Sequence, residues 1–185
     1  MRIVRVFLAG LVALTFSVMA VPKPAAADSK DSWDKLSTAL VFGLAGGAEL
    51  KTLSLGDKAG QLQYFKTLAA TLVLSEALKA AVKEPRPDGS SNDSFPSAHT
   101  ALAFAAASYF DIRYGATNRT LVPFLYGAAA LTAVGRVEAD KHFVGDVVAG
   151  ALIGIAFAHT FTTADTEVSV YPTGDGVGVT YVKHF

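Results

Sequence analysis

The sequence predicts a mainly α-helical fold: a bundle of about five to six helices with a short C-terminal β-hairpin. Two patterns support this prediction. Apolar residues recur at helical spacing in five segments between residues 31 and 161, and residues 167–185 change to the alternating pattern of strands. In addition, 51% of the 185 residues are hydrophobic and 17% are charged, which indicates one apolar domain rather than a disordered or multidomain chain.

The N-terminus has the layout of a secretory signal peptide. A basic tip precedes an apolar stretch at residues 6–21, and alanines at 25–27 provide the small residues of a cleavage site. We therefore expect residues 1–27 to be removed, leaving residues 28–185 as a single exported domain, in the periplasm of a bacterium. Because the apolar stretch is only slightly short of the ~20 residues that cross a bilayer, an uncleaved membrane helix is the alternative.

The five helical segments differ in what favours them. The first has Asp and Ser as candidate N-caps and glycines expected to loosen its end, and the second has Leu68, Leu72, Leu78 and Val82 at helical spacing. The Ala and Gly content of the other three permits close contacts between helices. The segments are residues 31–50, 61–83, 97–115, 119–136 and 142–161.

The tail is predicted to form a hairpin. Val168 and Val170 alternate on one side of the turn sequence PTGDG, and Val177 and Val179 alternate on the other.

Charge and cysteine content exclude some classes of protein. Three basic residues and no acidic one fall in residues 1–27, so residues 28–185 carry 13 basic and 16 acidic residues, a net charge of −3. That balance excludes a nucleic-acid partner recognised by charge. The chain has no cysteine, so an exported fold must be stable without disulfide bonds.

Two environments are compatible with the helices. Charged residues, among them Glu49, Glu76 and Asp111, interrupt most of the apolar runs, which favours a soluble bundle around a buried central helix. The last helix is the exception, because residues 147–164 hold nothing ionisable except His159 before their end. A thin membrane protein of six helices is therefore the alternative.

Candidate catalytic residues lie at the ends of predicted helices. His142 and Asp146 are four residues apart, so on a helix they share a face, and the carboxylate could fix the tautomer of the imidazole. A histidine held in this way can act as a nucleophile or base. Taken alone, the pair is also compatible with a helix surface that has no chemistry, because short motifs match often by chance.

The segment PSAH, residues 96–99, predicts an anion site. Ser97 is placed to cap the helix that begins near Ala98, and a helix N-terminus binds phosphate readily. His99, in the first turn, could then donate a proton to a leaving oxygen. The plain alternative is a serine that only caps and a histidine without a role.

Three basic side chains complete the set. Lys79 lies near the end of the second helix, Arg86 follows in the stiff segment PRP, and Arg136 ends the fourth helix. Arginine matches the geometry of a phosphate well. Each of these residues could equally be a solvated charge, but a dianionic ester needs several fixed cations, a nucleophile and an acid, and the sequence supplies all of them.

The order and spacing of these residues resemble a known family. Lys79 is followed after six residues by Arg86-Pro87, then by PSAH, then by Arg136, five residues, His142, three residues and Asp146. This is similar to the three-part signature of the type 2 phosphatidic acid phosphatase and vanadium haloperoxidase superfamily.

The resemblance implies a metal-independent phosphatase that uses no cofactor. In it His142 would attack phosphorus to give a phosphohistidine, Asp146 would orient His142, and His99 would protonate the leaving alcohol. The phosphate would be held by Lys79, Arg86, Ser97, an amide near Ala98, and Arg136. Two positions depart from the family pattern: Ala98 replaces a glycine, and Gly135 replaces the serine that usually precedes the arginine.

The resemblance leaves several functions open. An exported phosphatase acting on phosphate monoesters is the first expectation. The main alternative is a membrane-associated phosphatase of lipid phosphates or polyprenyl pyrophosphate, in the inner membrane with its site on the periplasmic side. An exported phosphate-binding protein without activity is the third. A vanadate-dependent haloperoxidase is disfavoured, because those enzymes are usually much longer. The leaving group and the oligomeric state do not follow from the sequence.

Overall fold

The computed structural model describes residues 28–164, 166–174 and 176–183, so the predicted signal peptide lies outside the described residues. The described chain is mainly helical and ends in a two-stranded antiparallel hairpin, which confirms the predicted fold class. Its elements, in chain order, are α1 (Asp28–Ser54), α2 (Lys58–Val82), α3 (Ala98–Tyr114), α4 (Val122–Glu138), α5 (Val144–Phe161), β1 (Thr166–Thr173) and β2 (Gly176–Lys183).

Helix α3 is the centre of the bundle and contacts each of the other four helices. Six of its thirteen buried residues are alanines, whose small side chains let the neighbouring helices come close. The largest apolar cluster joins α3 to α1, α4 and α5 through Phe104, Val41, Leu44, Ala129 and Ala151.

Two glycines set α5 directly against α3. A Cβ atom at Gly150 would lie 2.5 Å from the carbonyl oxygen of Ser97, and one at Gly154 would lie 2.1 Å from that of Ala101. Only glycine allows this approach of two backbones. As a result the N-termini of α3 and α5 lie side by side, and the Ser97 amide donates to the Asp146 carbonyl at 3.1 Å.

Helix α2 buries its polar face. Thr67, Thr71 and Ser75 are fully buried, and the hydroxyls of Thr71 and Ser75 donate to the carbonyl oxygens four residues earlier, at 2.7 and 2.8 Å. By contrast Leu72 and Val82, two of the residues that defined the helical period, are 44% and 50% exposed. The helical spacing of these residues is confirmed, but much of the apolar side of α2 faces outward.

Helix α1 is longer than predicted, since it continues to Ser54 instead of ending near residue 50. The expectation that glycines loosen its end was wrong. Gly43, Gly46 and Gly47 stay within the helix, although each glycine costs about 1 kcal/mol relative to alanine there. Packing of Val41, Leu44 and their neighbours against α3 offsets that cost.

The hairpin agrees with its prediction. Val170 pairs with Val179, and Thr173 pairs with Gly176 across a two-residue connection. This short connection between two alternating segments is the usual form of a β-hairpin.

Candidate active site

Except for Arg86, which lies in the loop between α2 and α3, the predicted site residues lie at or next to helix ends, and these ends meet at one end of the bundle. Lys79 is in the last turn of α2, Ser97 is the N-cap of α3, and Arg136 is in the last turn of α4. His99 follows in the first turn of α3, and His142 lies just before α5. The charges of Lys79, Arg86 and Arg136 all act on His99, so the three motifs are close in space.

His142 is buried and its ring is held by a backbone carbonyl. Nδ1 lies 2.7 Å from the carbonyl oxygen of Ser94. A carbonyl only accepts hydrogen bonds, so Nδ1 carries the proton and Nε2 keeps its lone pair. Nε2 is therefore the ring nitrogen whose lone pair is available.

Asp146 is bound differently from the sequence expectation. Because α5 begins at Val144, His142 precedes the helix, and the two side chains do not share a helix face. The carboxylate Oδ2 is 3.7 Å from Nδ1, beyond hydrogen-bonding distance. It instead accepts from the Ser94 hydroxyl at 2.5 Å and from the Phe143 amide at 2.9 Å. Asp146 thus fixes both the residue that holds His142 and the residue that follows it.

The surroundings of His142 favour its neutral form. Burial, and then the positive charge of Arg136, lower the pKa of His142 to about 4, although the hydrogen bond to the Ser94 carbonyl opposes them. Since the ordinary value is near 6.5, the imidazole is neutral at pH 7. A neutral imidazole is the form that can attack phosphorus.

Burial and nearby cations also favour the neutral form of His99. Its Nε2 lies 3.4 Å from the Thr38 hydroxyl of α1. Burial, and then the charge of Arg136, lower the pKa of His99 to about 4, although Asp34 opposes them. To act as an acid His99 must therefore gain a proton when an anion enters and neutralises the cations around it.

Arg136 is almost fully buried, at 3% exposure, and α1 holds one side of it. Nη1 donates to a carboxylate oxygen of Asp34 and lies 3.4 Å from the Ser37 hydroxyl. The buried Nε has no hydrogen-bond acceptor among the residues that the structure describes. A buried donor without an acceptor is costly, and a phosphate oxygen would satisfy it.

The other two cations share a carboxylate. Arg86 Nη2 donates to Asp93 Oδ2 at 3.0 Å, and Arg86 Nε lies 2.8 Å from Oδ1 without the angle that a hydrogen bond needs. Lys79 Nζ is 3.8 Å from the same carboxylate. Asp93 therefore occupies the cations that a phosphate would require.

The start of α3 has the form of an anion site. The Ser97 hydroxyl caps the helix by accepting from the Thr100 amide at 3.4 Å, as expected. The amides of Ala98 and His99 belong to the first turn, where the helix itself offers them no acceptor. Such amides, together with the helix dipole, favour a bound anion.

Sequence reasoning missed several residues of this site. Ser94 stands in the stretch SFPSAH and could have been suspected from its place before the motif. Asp34, Ser37 and Thr38 are about 60 to 100 positions from their partners in the chain, and nothing in the sequence pairs them. Asp93 had no motif to mark it.

Comparisons with known proteins agree with the three motifs. The model of the PAP2 superfamily matches residues 60–168, more than half of the chain. The lipid A 1-phosphatase of Porphyromonas gingivalis is 40% identical over 70 residues, which are 38% of this chain and 16% of that relative. The chain therefore matches only a small part of that curated relative's length.

A solved structure has a similar fold. The crystal structure of Aquifex aeolicus LpxE aligns with a TM-score of 0.59 at 27% identity, covering 71% of this chain and 83% of that chain. With a matching family model over most of the bundle, and the motif residues gathered at one end of it, the chain belongs to the PAP2 superfamily.

Proposed function

We propose that this chain is a metal-independent, membrane-associated phosphatase that removes phosphate from a lipid head group of the lipid A class. Family membership supports phosphatase chemistry, and a relative named as a lipid A 1-phosphatase supports the lipid substrate. The comparisons therefore favour the membrane alternative over an exported soluble phosphatase.

The observation that carries the lipid assignment is the reversed polarity of α2. Its buried face consists of hydroxyl-bearing residues, while Leu62, Phe65 and Val73 are 57%, 54% and 68% exposed. Exposing so much apolar surface to water is unfavourable. Small hydroxyl residues at helix contacts with apolar side chains outside are typical of helices surrounded by lipid.

Other helices extend this apolar surface. Phe42 on α1 and Phe124 on α4 are 72% and 74% exposed, and Val144 on α5 is 64% exposed. Within the described residues, α5 is the one helix whose length and apolar composition would let it cross a bilayer. We infer an inner-membrane protein whose site faces the periplasm.

The proposed reaction has two steps. Nε2 of His142 attacks phosphorus, the bond from phosphorus to the lipid oxygen breaks, and His99 gives its proton to that oxygen. Water then attacks the phosphohistidine, the phosphorus–nitrogen bond breaks, and His99 takes the proton of the water. Orthophosphate leaves, and His142 returns to its neutral form.

The remaining residues bind the phosphate or orient His142. Lys79, Arg86 and Arg136 neutralise the phosphate, and the Ser97 hydroxyl with the amide of Ala98 lies at the N-terminus of α3 to hold its oxygens. Asp146 acts through Ser94, because its carboxylate fixes the residue whose carbonyl orients His142. No step requires a metal.

The assay that tests this function compares two substrates. The full chain in detergent should release orthophosphate from lipid A in mixed micelles, with EDTA present. We expect kcat/KM for the lipid to exceed that for p-nitrophenyl phosphate by about 10²-fold, because apolar contacts remote from phosphorus contribute to transition-state binding.

Other results would assign a different function. Equal turnover of both substrates by a detergent-free chain would indicate the exported monoester phosphatase. Orthophosphate binding without turnover of either substrate would indicate a phosphate-binding protein.

Asp93 is expected to compete with the phosphate. Asp93→Asn removes a negative charge from Arg86 and Lys79, so orthophosphate should inhibit about two- to five-fold more strongly, a modest change because Asp93 is 41% exposed. The measurement is the inhibition constant of orthophosphate.

A matched control is Asp31→Asn, which removes an exposed carboxylate that pairs with Lys35 rather than with Arg86 or Lys79. It should leave the inhibition constant unchanged. Weaker inhibition of Asp93→Asn would mean that Asp93 supports Arg86 rather than competing with phosphate.

A further inference from the structure

The backbone at Gly135 leaves no room for the serine that the family pattern has there. A Cβ atom at Gly135 would lie 2.9 Å from the Cβ of Ser37 and 3.2 Å from the carbonyl oxygen of Trp33. The same atom would be 3.6 Å from the Ser37 hydroxyl. The side chain of Ser37, on α1, thus fills the space that a side chain at position 135 would take.

The Ser37 hydroxyl is oriented towards Arg136. It is fully buried and donates its single proton to the carbonyl oxygen of Asp34 at 2.9 Å. The hydroxyl oxygen can still accept a hydrogen bond, and Nη1 of Arg136 lies 3.4 Å away. The hydroxyl therefore acts as an acceptor for the guanidinium.

Asp34 reinforces this contact from the same helix. Ser37 follows Asp34 by three positions, so both face Arg136 from one side of α1, and the carboxylate accepts from the same Nη1. In a guanidinium group, Nε and Nη2 form a separate forked edge. The buried Nε at that edge has no acceptor within the described part of the chain, which leaves it for an anion.

We propose that Asp34 and Ser37 are the positioning residues of Arg136, with Ser37 supplying from α1 the hydroxyl that Gly135 lacks. Both hold Nη1, so that the fork of Nε and Nη2 points to the phosphate. This inference rests on the proposed function. It adds α1, which lies outside the residues that the family model matches, to the phosphate site.

At position 135, the residue of the family pattern is expected to lower activity rather than raise it. Restoring the family's serine by Gly135→Ser should impair the enzyme, because the new Cβ lies 2.9 Å from that of Ser37 and neither helix can yield without moving Arg136. Ser37→Gly should also impair it, because Arg136 loses an acceptor. The double variant Ser37→Gly/Gly135→Ser removes the 2.9 Å contact, keeps the milder 3.2 Å contact with the Trp33 carbonyl oxygen, and returns a hydroxyl from the other helix.

The experiment titrates inorganic phosphate into each full-length variant by calorimetry and also measures kcat and KM for the lipid substrate. Ser37→Gly should weaken phosphate binding and raise KM by about 5- to 20-fold with kcat less affected, as for a lost hydrogen bond to a charged group. Ser37→Ala, which avoids the flexibility of glycine, should show the same split between KM and kcat. The double variant should bind phosphate several-fold more tightly than Ser37→Gly alone.

The results separate this inference from the proposed function. If wild type binds phosphate but does not turn over lipid, the proposed function fails and the titrations still decide the role of α1. Unchanged phosphate affinity in Ser37→Ala, or a double variant no better than Ser37→Gly, would overturn the positioning role. A wild type that binds no phosphate would overturn both. Thermal melts identify any variant whose loss reflects unfolding.

Discussion

His142→Ala is expected to lower kcat for the lipid phosphate by about 10³-fold or more, because it removes the proposed nucleophile of a covalent mechanism. The structure supplies the reason for this choice of atom. Nδ1 is committed to the Ser94 carbonyl at 2.7 Å, so Nε2 is free to attack, and burial keeps the ring neutral with a pKa of about 4. The measurement is orthophosphate release from lipid A in mixed micelles.

A second measurement tests the intermediate itself. Brief reaction with substrate labelled in the phosphate should mark the wild-type chain with a group that is stable in alkali and lost in acid, as a phosphohistidine is. His142→Ala should carry no label. His159→Ala is the matched control, because His159 is exposed in the last turn of α5 and outside the site, and it should retain both label and turnover. Label on His142→Ala would assign the nucleophile to another residue.

The order of the helices, and the place of the motifs at their ends, could be predicted from the sequence. Local signals determine both: Ser97 caps α3 as its position before an apolar run suggested, and the motif spacing placed His142 next to the start of α5. The ends of the helices were less predictable. Glycines in α1 did not end the helix, and α5 began two residues after His142, because packing decides such ends as much as local preference does.

The partners of the site residues could not be predicted, since they come from distant parts of the chain. Asp34 and Ser37 reach Arg136 only because α1 packs against α4, and the Ser94 carbonyl reaches His142 only because α3 and α5 meet. The surroundings of the bundle were ambiguous for a related reason. Charged residues suggested water, but the fold buries the hydroxyls of α2 and exposes its leucines, a choice that hydropathy alone does not show.

The second large effect is expected at the opposite end of the bundle, where a buried ion pair ties the helices together. Asp57, the N-cap of α2, accepts from Arg113 Nε and Nη2, both at 2.7 Å, and also from the Tyr114 hydroxyl and the Gly60 amide, both at 2.8 Å. Arg113 continues to the carbonyl oxygens of Thr163 and Ala164, beyond the end of α5. The exposed fractions of the two charged side chains are 6% for Arg113 and 11% for Asp57.

We expect Asp57→Ala to lower the free energy of unfolding by about 3–5 kcal/mol, because it removes the carboxylate that accepts from two guanidinium nitrogens of the buried Arg113. That loss corresponds to a melting temperature lower by roughly 10 °C for a chain of this size. Asp31→Ala, which breaks an exposed ion pair with Lys35, should change the melting temperature little. The measurement is a thermal melt in detergent, and kcat of the folded fraction should be unchanged because the pair is remote from the site.

The pH dependence of this effect identifies its cause. Burial would raise the pKa of Asp57, but the hydrogen bonds from Arg113, Gly60 and Tyr114 outweigh it and lower the pKa below its usual value. The carboxylate thus contributes stability that is fully present above its unfolded pKa and is lost as the pH falls through its folded pKa. The difference in melting temperature between wild type and Asp57→Ala should therefore shrink on acidification. A difference that stays constant with pH would attribute the loss to packing rather than to the charge of Asp57.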